Sequence, residues 1–333
     1  MRILILGGTA FLSAATARYA IGRGHQVTCL ARGVRRRPPE GTTWIEADRD
    51  TGPDAYDAVA RTDWDAVIDV ARQPIQVRQA LAALGDRSRH WTFVSSCSVY
   101  TDDATPRQDE SGPVHPAFDG DTYTDDAAYG PAKMSCEHAC LDVVGDRLHI
   151  SRAGLIGGPG DTSDRFGWWP ARFARTGDDE VLLPAGRELP SQVIDVDDLA
   201  PWLVHGAETG TVGILNAVGD SVSFADVIDT ARQVAGHIGT STVVDHDFLV
   251  EHGVSFWAGP DSLGMWLPPD HTGFGARSNT AAKEAGMVLR SLTDSTERVL
   301  RYERELGLDR ERVTGLSAAK ERELLDAWAA RRQ

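Results

Sequence analysis

The stretch ILILGGTAFLSAA, residues 3–15, has the pattern of a buried strand, a tight turn and the first turns of a helix. Glycine is needed where a backbone turns sharply and comes close to a pyrophosphate, and Gly7 and Gly8 stand at that point. The helix N-terminus that follows offers free N–H groups and the positive end of a dipole. Two later positions that also require small residues carry Ala10 and Ser13 instead of glycine. The stretch therefore predicts a phosphate-binding turn, formed by Gly7, Gly8, Thr9, Ala10, Phe11 and Leu12.

Apolar runs of strand length recur along the chain after this turn. The runs and the helix patterns between them occupy residues 11–23, 26–32, 42–48, 64–71, 76–84 and 90–96. Short, nearly all-apolar strands that alternate with helices are typical of a parallel sheet covered on both faces. The pattern predicts an α/β chain with a Rossmann-type doubly wound parallel sheet and a smaller C-terminal lobe.

A boundary between the two parts is expected near residue 158. Residues 1–158 would form a dinucleotide-binding domain, and residues 159–333 mainly a substrate-binding lobe with some elements returning to the first sheet. The polar segment 101–128 has the composition of a long loop, and loops of this length in compact domains are usually functional or mobile. The last helix is predicted at residues 318–332.

The overall charge and the cysteines limit the partners that the chain could have. Its 333 residues carry a formal charge of −15, which argues against nucleic acid or an anionic membrane, because both require clustered positive charge. No apolar run approaches the ~18 residues that span a bilayer. The four cysteines and ten histidines show no metal-ligand spacing, and no secretion signal is expected, because the sequence opens with a strand pattern. A cytoplasmic protein without a metal site is therefore expected.

The end of the second predicted strand bears on the choice of dinucleotide. Sites that prefer NAD usually place an acidic side chain there, whereas this chain has Ala31 followed by Arg32. A guanidinium beside a small residue suits the 2′-phosphate of NADP, so NADP(H) is slightly preferred over NAD(H). The basic run continues with Arg35, Arg36 and Arg37. Further cofactor contacts, at the ends of the next two strands, are predicted for Asp48, Val70 and Ala71.

A hydroxyl cluster ends the fifth predicted strand, in SSCSVY at residues 95–100, and YGPAK follows at residues 129–133. Tyr129 and Lys133 are four residues apart and would share one face of a helix. A lysine beside a tyrosine stabilises the phenolate, which lets Tyr129 act as a base in alcohol oxidation or as an acid in carbonyl reduction. A serine at the strand end could hold the substrate oxygen. Because both stretches are expected at the carboxyl ends of parallel strands, they predict a single site.

Four stretches together resemble the extended short-chain dehydrogenase/reductase family, and within it the NAD-dependent epimerase/dehydratase group. They are GGTAFLS, FVSSCSVY, YGPAKMSCE and RAGLIGGPGD, and the likeness continues through SQVIDVDDLA. The resemblance implies that Tyr129 is the acid/base, Lys133 its partner and a ribose ligand, and Ser96 the catalytic hydroxyl. It also implies cofactor contacts at Ser95, Ala153 and Leu155. The turn lacks two of the family's glycines and RAG replaces Arg-Pro-Gly, so the likeness is partly to an atypical branch.

The residues after the predicted catalytic serine bear on the reaction. Family members that dehydrate nucleotide sugars carry an Asp-Glu pair there, whereas this chain has Cys97 and Ser98, so that route is disfavoured. Reduction or oxidation at a hydroxyl or carbonyl carbon is favoured, and a nucleotide-sugar epimerase that keeps NAD tightly bound is the alternative. A non-catalytic, dinucleotide-binding regulatory protein is a second alternative, against which the presence of Tyr129 and Lys133 counts.

Substrate contacts are expected from the serine cluster and from the second lobe. The stretch DRFGWWPARFAR, residues 164–175, gathers aromatics and arginines that suit a flat or phosphorylated substrate, although Trp168 suits a helix core equally well. The predicted substrate ligands are Ser98, Trp168, Arg172 and Arg277. Trp257 and Trp266 are expected to flank the entrance of the pocket.

Two further expectations concern helix packing. Cys136, Cys140 and Leu141 follow Tyr129 at helical spacing and could give an apolar face that supports a homodimer, although packing within one chain would produce the same pattern. Asp197 stands where the N-cap of a helix is expected.

Overall fold

The computed structural model of the chain describes residues 1–34, 36–176 and 180–332. Its strands are β1 (Arg2–Leu6), β2 (Gln26–Ala31), β3 (Thr43–Glu46), β4 (Ala66–Asp69), β5 (Trp91–Ser96), β6 (Leu148–Ala153), β7 (Leu155–Gly157), β8 (Val181–Pro184), β9 (Pro190–Ser191), β10 (Val193–Asp195), β11 (Gly213–Ala217), β12 (Val222–Ser223), β13 (Ser241–Val244), β14 (Ser255–Trp257) and β15 (Ser262–Gly264). Its helices are α1 (Phe11–Gly22), α2 (Pro74–Leu84), α3 (Tyr129–Val144), α4 (Trp168–Thr176), α5 (Val196–Thr209), α6 (Phe224–Ala235), α7 (His246–Glu251), α8 (Thr280–Glu284), α9 (Leu292–Leu306) and α10 (Ala318–Arg331).

The central sheet has the strand order β3-β2-β1-β4-β5-β6-β11, and every neighbouring pair is parallel. The order reverses between β1 and β4, so the first βα turn and the end of β4 border the same crevice. This topology confirms the predicted Rossmann-type, doubly wound α/β fold.

Helices cover both faces of the sheet, which explains why its central strands are apolar throughout. Along β1, Ile3 and Ile5 belong to the core beneath α1 and α5, whereas Leu4 and Leu6 belong to the core beneath α2 and α3. Because successive side chains of a strand point to opposite faces, a strand buried on both sides needs apolar residues at every position. The sheet is therefore held at a fixed place between two helical layers.

The second lobe has its own apolar core. Helices α4, α6 and α9 pack together over the two-stranded pairs β8–β13 and β14–β15, around Trp169, Phe166 and Trp266. Two elements of the C-terminal half lie with the first sheet: β11 pairs with β6, and α5 packs on α1. The last helix, α10, also packs on this second core, through the buried side chain of Leu324.

The segment 101–128 is fastened to a stretch of the C-terminal half, residues 268–278. Backbone hydrogen bonds join Gly273 to Asp103 at 2.7 Å, Arg107 to Ala276 at 2.7 Å, and a further residue of each segment. The segment contains no regular helix or strand before the 3₁₀ turn at Asp126–Ala128, in agreement with the predicted loop. Its attachment means that the loop forms a fixed wall beside the sheet.

The structure decides between the two alternatives for the cysteines of α3 and corrects the expected N-cap of α5. Cys136 and Cys140 are fully buried in the core that α3 shares with α2 and the sheet, where burial raises the pKa of the Cys136 thiol to about 12. These two cysteines therefore supply no exposed face for a dimer, and only Leu141 of the predicted set is exposed. The N-cap of α5 is Asp195, whose carboxylate accepts a hydrogen bond from the backbone N–H of Asp197. In the described ranges, no helix is long and apolar enough to cross a lipid bilayer.

Candidate active site

A cavity of about 820 Å³ lies at the carboxyl ends of the central strands, between the sheet and the second lobe. Its walls include eleven of the residues predicted to act in the site: Ala10, Phe11, Leu12, Val70, Ser95, Ser96, Ser98, Tyr129, Lys133, Ala153 and Leu155. The glycine turn, the serine cluster and the start of α3 therefore meet in one place. We call it the catalytic cavity below.

The turn between β1 and α1 is shaped to admit a large anion. Gly7 and Gly8 have φ angles of 136° and 109°, and a Cβ on Gly8 would lie 2.5 Å from the Cys29 sulfur. Helix α1 begins after Ala10 without a side-chain cap and with no acidic residue in its first turn. Its first N–H groups are therefore not engaged by a capping side chain, and they face a negative ligand without repulsion. The turn fits the pyrophosphate of a dinucleotide.

The predicted adenosine contacts lie together, just beyond the ends of β2 and β3. Arg32 is 55% exposed, and its Nη1 is 3.3 Å from Asp50 Oδ2 and 3.7 Å from Asp48 Oδ2. A 2′-phosphate on the cofactor would have to compete with these two carboxylates for the guanidinium. Of the other arginines in this basic loop, Arg35 lies outside the described residues, while the guanidinium of Arg37 lies 5.7 Å from the Trp44 ring centroid.

The serine cluster forms a tight turn at the end of β5. Ser96 caps the 3₁₀ turn Cys97–Val99: its Oγ accepts a hydrogen bond from the Ser98 N–H and donates one to Ser98 Oγ, both at 3.1 Å. The first turn of α3 packs directly on it, because a Cβ added to Gly130 would lie 2.1 Å from the Ser98 carbonyl oxygen. Only glycine permits this approach, which brings Tyr129 to the same cavity as Ser96.

Lys133 ties α3 to the sheet. Its side chain is 2% exposed, and its Nζ donates hydrogen bonds to the carbonyls of Ala71 and Val94, each at 2.7 Å. The Nζ lies 6.0 Å from the centroid of the Tyr129 ring. An ammonium group has three donors, so one is left for a ligand in the cavity. Lys133 thus fixes the ends of β4 and β5 and holds a positive charge close to Tyr129.

Arg72 is a candidate site residue that the sequence reasoning did not single out. Its guanidinium carbon lies 5.1 Å from the centroid of the Tyr129 ring, on the wall of the catalytic cavity. The signal for it is its place, directly after the predicted contacts Val70 and Ala71 at the end of β4. A cation against an aromatic face is attracted to it, so Arg72 and the Tyr129 ring hold each other in place.

Ser95 faces a buried network that anchors α3 to β6. Its Oγ donates a hydrogen bond to Glu137 at 2.5 Å, and Glu137 also pairs with Arg152 at 2.7 Å. Burial opposes the charge on Arg152, but the hydrogen bond from its guanidinium to Glu137 raises the pKa of Arg152 above its ordinary value. Arg152 also donates to the Tyr100 hydroxyl at 3.1 Å. The network sets the position of α3 from its inner side.

Three predicted substrate ligands do not line the catalytic cavity. Trp168 and Arg172 are buried in the second lobe, where Arg172 Nε donates to Glu321 at 2.5 Å, and both line a second cavity of about 720 Å³. Arg277 is buried against the Tyr100 ring at 4.2 Å and donates to Asp103 at 2.8 Å, holding the segment 101–128 in place. These side chains are already engaged within the protein, whereas Ser98 and Trp257 do line the catalytic cavity.

Comparisons with known proteins agree with this architecture. No family model matches the chain. The sequence is 26% identical, over 254 residues, to the epimerase family protein SDR39U1 of Bos taurus, covering 69% of this chain and 80% of the relative.

Two solved structures illustrate the likeness in fold. UDP-glucuronic acid 4-epimerase from Bacillus cereus, in complex with NAD, has a TM-score of 0.67 at 16% identity, covering 92% of this chain and 99% of its own. UDP-N-acetylglucosamine 4-epimerase from Bacillus cereus has a TM-score of 0.66 at 17% identity, covering 91% and 99%. At such identities the structures show a shared fold, and the Bos taurus relative adds a likeness in sequence.

Proposed function

Because the chain has the fold and the sequence likeness of the extended short-chain dehydrogenase/reductase family, we propose that it is an NAD(P)-dependent oxidoreductase. It would transfer a hydride at a hydroxyl or carbonyl carbon of a small molecule. The observation that carries this proposal is the meeting of Ser96, Tyr129 and Lys133 with the glycine turn in one cavity. A surface helix with the same Tyr-Lys spacing would not bring its lysine to the carbonyls of β4 and β5.

Each residue of the site has a role that its position supports. The Tyr129 hydroxyl would exchange a proton with the substrate oxygen, and Ser96 Oγ would hold that oxygen by a hydrogen bond. Lys133, with two of its donors fixed, would stabilise the Tyr129 phenolate and use its third donor on a ribose hydroxyl. The rigid attachment of α3 keeps the three groups in register, so little reorganisation is needed when the proton moves.

The dinucleotide would lie along the carboxyl edge of the sheet. The residues that would hold it are Gly7, Gly8, Thr9, Ala10, Phe11 and Leu12 at the pyrophosphate, Val70 and Ala71 along the middle, and Ser95, Ala153 and Leu155 around the nicotinamide. The nicotinamide ring, when bound, supplies or accepts the hydride. The Leu155 side chain would keep water from the ring, because it presents apolar surface to the cavity.

Arg32 would decide between the two dinucleotides. A guanidinium at this position favours NADP(H), the preference expected from the sequence, while its contacts with Asp48 and Asp50 weaken that preference. The variant Arg32→Ala should weaken NADPH binding about tenfold and NADH binding less than twofold, since only NADPH carries the phosphate. Equilibrium titrations with both cofactors measure this. Equal losses for the two cofactors would show that Arg32 does not recognise the phosphate.

An epimerase with tightly bound NAD is the second candidate, favoured by the solved epimerase structures that share the fold. Such an enzyme returns its hydride to the substrate, a nucleotide sugar, and has no need to exchange its cofactor. Mass spectrometry of whatever nucleotide the purified, denatured protein releases separates the two candidates. Co-purified NAD in near-stoichiometric amount supports the epimerase, and an empty protein that binds NADPH supports the reductase. A protein that neither releases nor binds a dinucleotide would contradict both.

A further inference from the structure

Arg165 is a cation in the catalytic cavity whose terminal nitrogens have no partner among the described residues. It lies in the connection between β7 and α4, and its Nε donates to Ser163 Oγ at 3.1 Å. Nη1 and Nη2 form no hydrogen bond or ion pair with any residue of the described ranges. Arg49, by contrast, is buried and paired with Asp69 at 2.8 Å. The two terminal nitrogens of Arg165 are therefore open to a ligand in the catalytic cavity.

The backbone of Arg165 is held firmly against β15. A Cβ added to Gly264 of β15 would lie 2.5 Å from the Arg165 carbonyl oxygen, which shows how closely the two segments pack. The Trp169 indole N–H donates to the carbonyl of the same glycine at 2.7 Å. The backbone is therefore fixed in advance of any ligand, and the hydrogen bond from Nε to Ser163 restricts the side chain, which lowers the entropic cost of binding.

Aromatic side chains back the guanidinium. Its central carbon lies 5.1 Å from the Trp257 ring centroid, and Trp257 packs edge-on against Phe274 at 4.9 Å. Trp257 has a φ of 67°, a left-handed conformation that is strained for an aromatic residue. Backbone strain of this kind clusters at ligand-binding sites, where the surrounding structure maintains it. Arg165, Trp257 and Phe274 together form what we call the anion subsite.

The electrostatic surroundings favour the arrival of an anion. Burial lowers the pKa of Arg165, so a negative ligand that entered the subsite would stabilise its charged form. Asp161, an acid that lines the same cavity, accepts hydrogen bonds from the N–H and hydroxyl of Ser163 at 2.8 and 3.0 Å. Burial raises the pKa of Asp161, which weakens its competition for the guanidinium. Tyr129 and Arg165 line the same cavity, so one ligand could reach both.

We propose that Arg165, backed by Trp257 and Phe274, binds an oxyanion carried by the substrate, either a carboxylate or a phosphate. This inference rests on the proposed function, because the substrate must also place its reacting carbon near Tyr129. A guanidinium has a planar fork of donors that matches the two oxygens of either group. The substrate class is therefore an anionic alcohol or carbonyl compound, and a neutral one would leave Arg165 without a counter-charge.

Calorimetric titration of the dinucleotide-saturated protein with malonate and, separately, with inorganic pyrophosphate tests this assignment. The probe that binds distinguishes a carboxylate from a phosphate as the preferred group. The affinity of that probe should fall about tenfold or more in Arg165→Gln, because a charged hydrogen-bonded pair is lost. Arg165→Lys keeps the charge but loses the planar fork of donors, so its affinity for the probe should lie between those of the wild type and Arg165→Gln. Arg301→Gln, an equal loss of charge at an exposed position of α9, should bind as the wild type does.

The experiment separates failure of this inference from failure of the proposed function. If the protein binds no dinucleotide, the same titrations without it still compare Arg165→Gln with the wild type. Binding of neither probe at millimolar concentration, or equal binding by Arg165→Gln and wild type, would overturn the anion subsite. Unchanged dinucleotide affinity in Arg165→Gln would show that the variant is folded and that the loss is confined to the subsite.

Discussion

The two cavities of this molecule differ in how their cations are balanced. In the catalytic cavity Arg72, Lys133 and Arg165 meet aromatic faces, carbonyls or a serine, and none pairs with a carboxylate of the described residues. In the second cavity, Arg172 pairs with Glu321 in a buried contact. A buried cation that is paired within the chain stabilises the fold, whereas one left without a counter-charge is available to a ligand. Arg172 therefore holds the fold together, whereas Arg72 and Arg165 are open to a ligand.

The largest expected effect comes from Tyr129, the residue that the cations of the catalytic cavity surround. Tyr129→Phe should lower turnover about a hundred- to ten-thousandfold, because the proton donor and acceptor is lost while the ring remains. Dinucleotide affinity should stay within about twofold. Steady-state kinetics with the substrate, once found, and a cofactor titration measure the two quantities. Activity close to that of the wild type would remove Tyr129 from the mechanism.

The next effect should appear in the second cavity and in stability alone. Arg172→Met breaks the buried pair with Glu321 and should lower the free energy of unfolding by about 3–5 kcal/mol. Among the described residues, the buried Glu321 carboxylate would keep only Arg175, at 3.9 Å, as a charged partner. Thermal denaturation measures the loss, and dinucleotide affinity is the control. Arg165→Gln, which breaks no such pair, should change stability far less. Equal destabilisation by the two variants would mean that the two cavities do not differ as described.

A smaller effect is expected where α3 meets the serine turn. Gly130→Ala places a methyl group against the Ser98 carbonyl, so α3 must move. The variant should lower the free energy of unfolding by about 1–3 kcal/mol and should also reduce turnover. Gly22→Ala, at the end of α1 where no atom lies within 4 Å, is the matched control and should be neutral or slightly stabilising. Denaturation and turnover of both variants test the contact. A Gly130→Ala protein as active as the wild type would show that this approach does not position Tyr129.

The smallest effect concerns the buried histidines His149 and His90, whose imidazoles are kept neutral by burial. Burial lowers the pKa of His149 to about 3 and that of His90 to about 4, from an ordinary 6.5. The unfolded chain therefore binds more protons, and stability should fall as the pH drops from about 6.5 toward 4. His149→Leu should reduce the difference in melting temperature between pH 7.5 and pH 5, and the exposed-site control His138→Leu should not. The prediction would be contradicted if the wild type, His149→Leu and His138→Leu all showed the same difference in melting temperature between pH 7.5 and pH 5.

Local sequence patterns were enough to predict the parallel sheet and the helix that carries Tyr129 and Lys133. A buried parallel strand requires an apolar run, and a helix places residues four apart on one face, so both signals lie within a few residues. The sequence predicts the N-cap of α5 at Asp197, whereas the observed N-cap is Asp195, two residues earlier. The Asp195 carboxylate accepts a hydrogen bond from the backbone N–H of Asp197, so the capping side chain and the N–H that it caps belong to different residues. Errors of this size arise from turn geometry, to which periodicity is insensitive.

The roles of the arginines could not be predicted in the same way. Arg172 meets Glu321 across 149 residues, and Arg277 meets Asp103 across 174, so their partners depend on the tertiary fold. The stretch 164–175 was recognised as rich in arginines and aromatics, but only the packing of β15 determines that Arg165 faces the catalytic cavity. Local patterns therefore predicted residues that line the catalytic cavity, whereas the arginine that we propose binds the substrate could be placed only with the tertiary fold.

Backbone hydrogen exchange, measured by mass spectrometry with and without NAD and NADPH, tests the central claim most directly. The account predicts slower exchange at residues 7–13 and 93–99 when the preferred dinucleotide is present, because those backbones would contact it. Exchange at residues 309–318, beside the second cavity, should not change. Protection absent from the first two segments, or appearing at the third instead, would contradict the assignment of the catalytic cavity as the dinucleotide site.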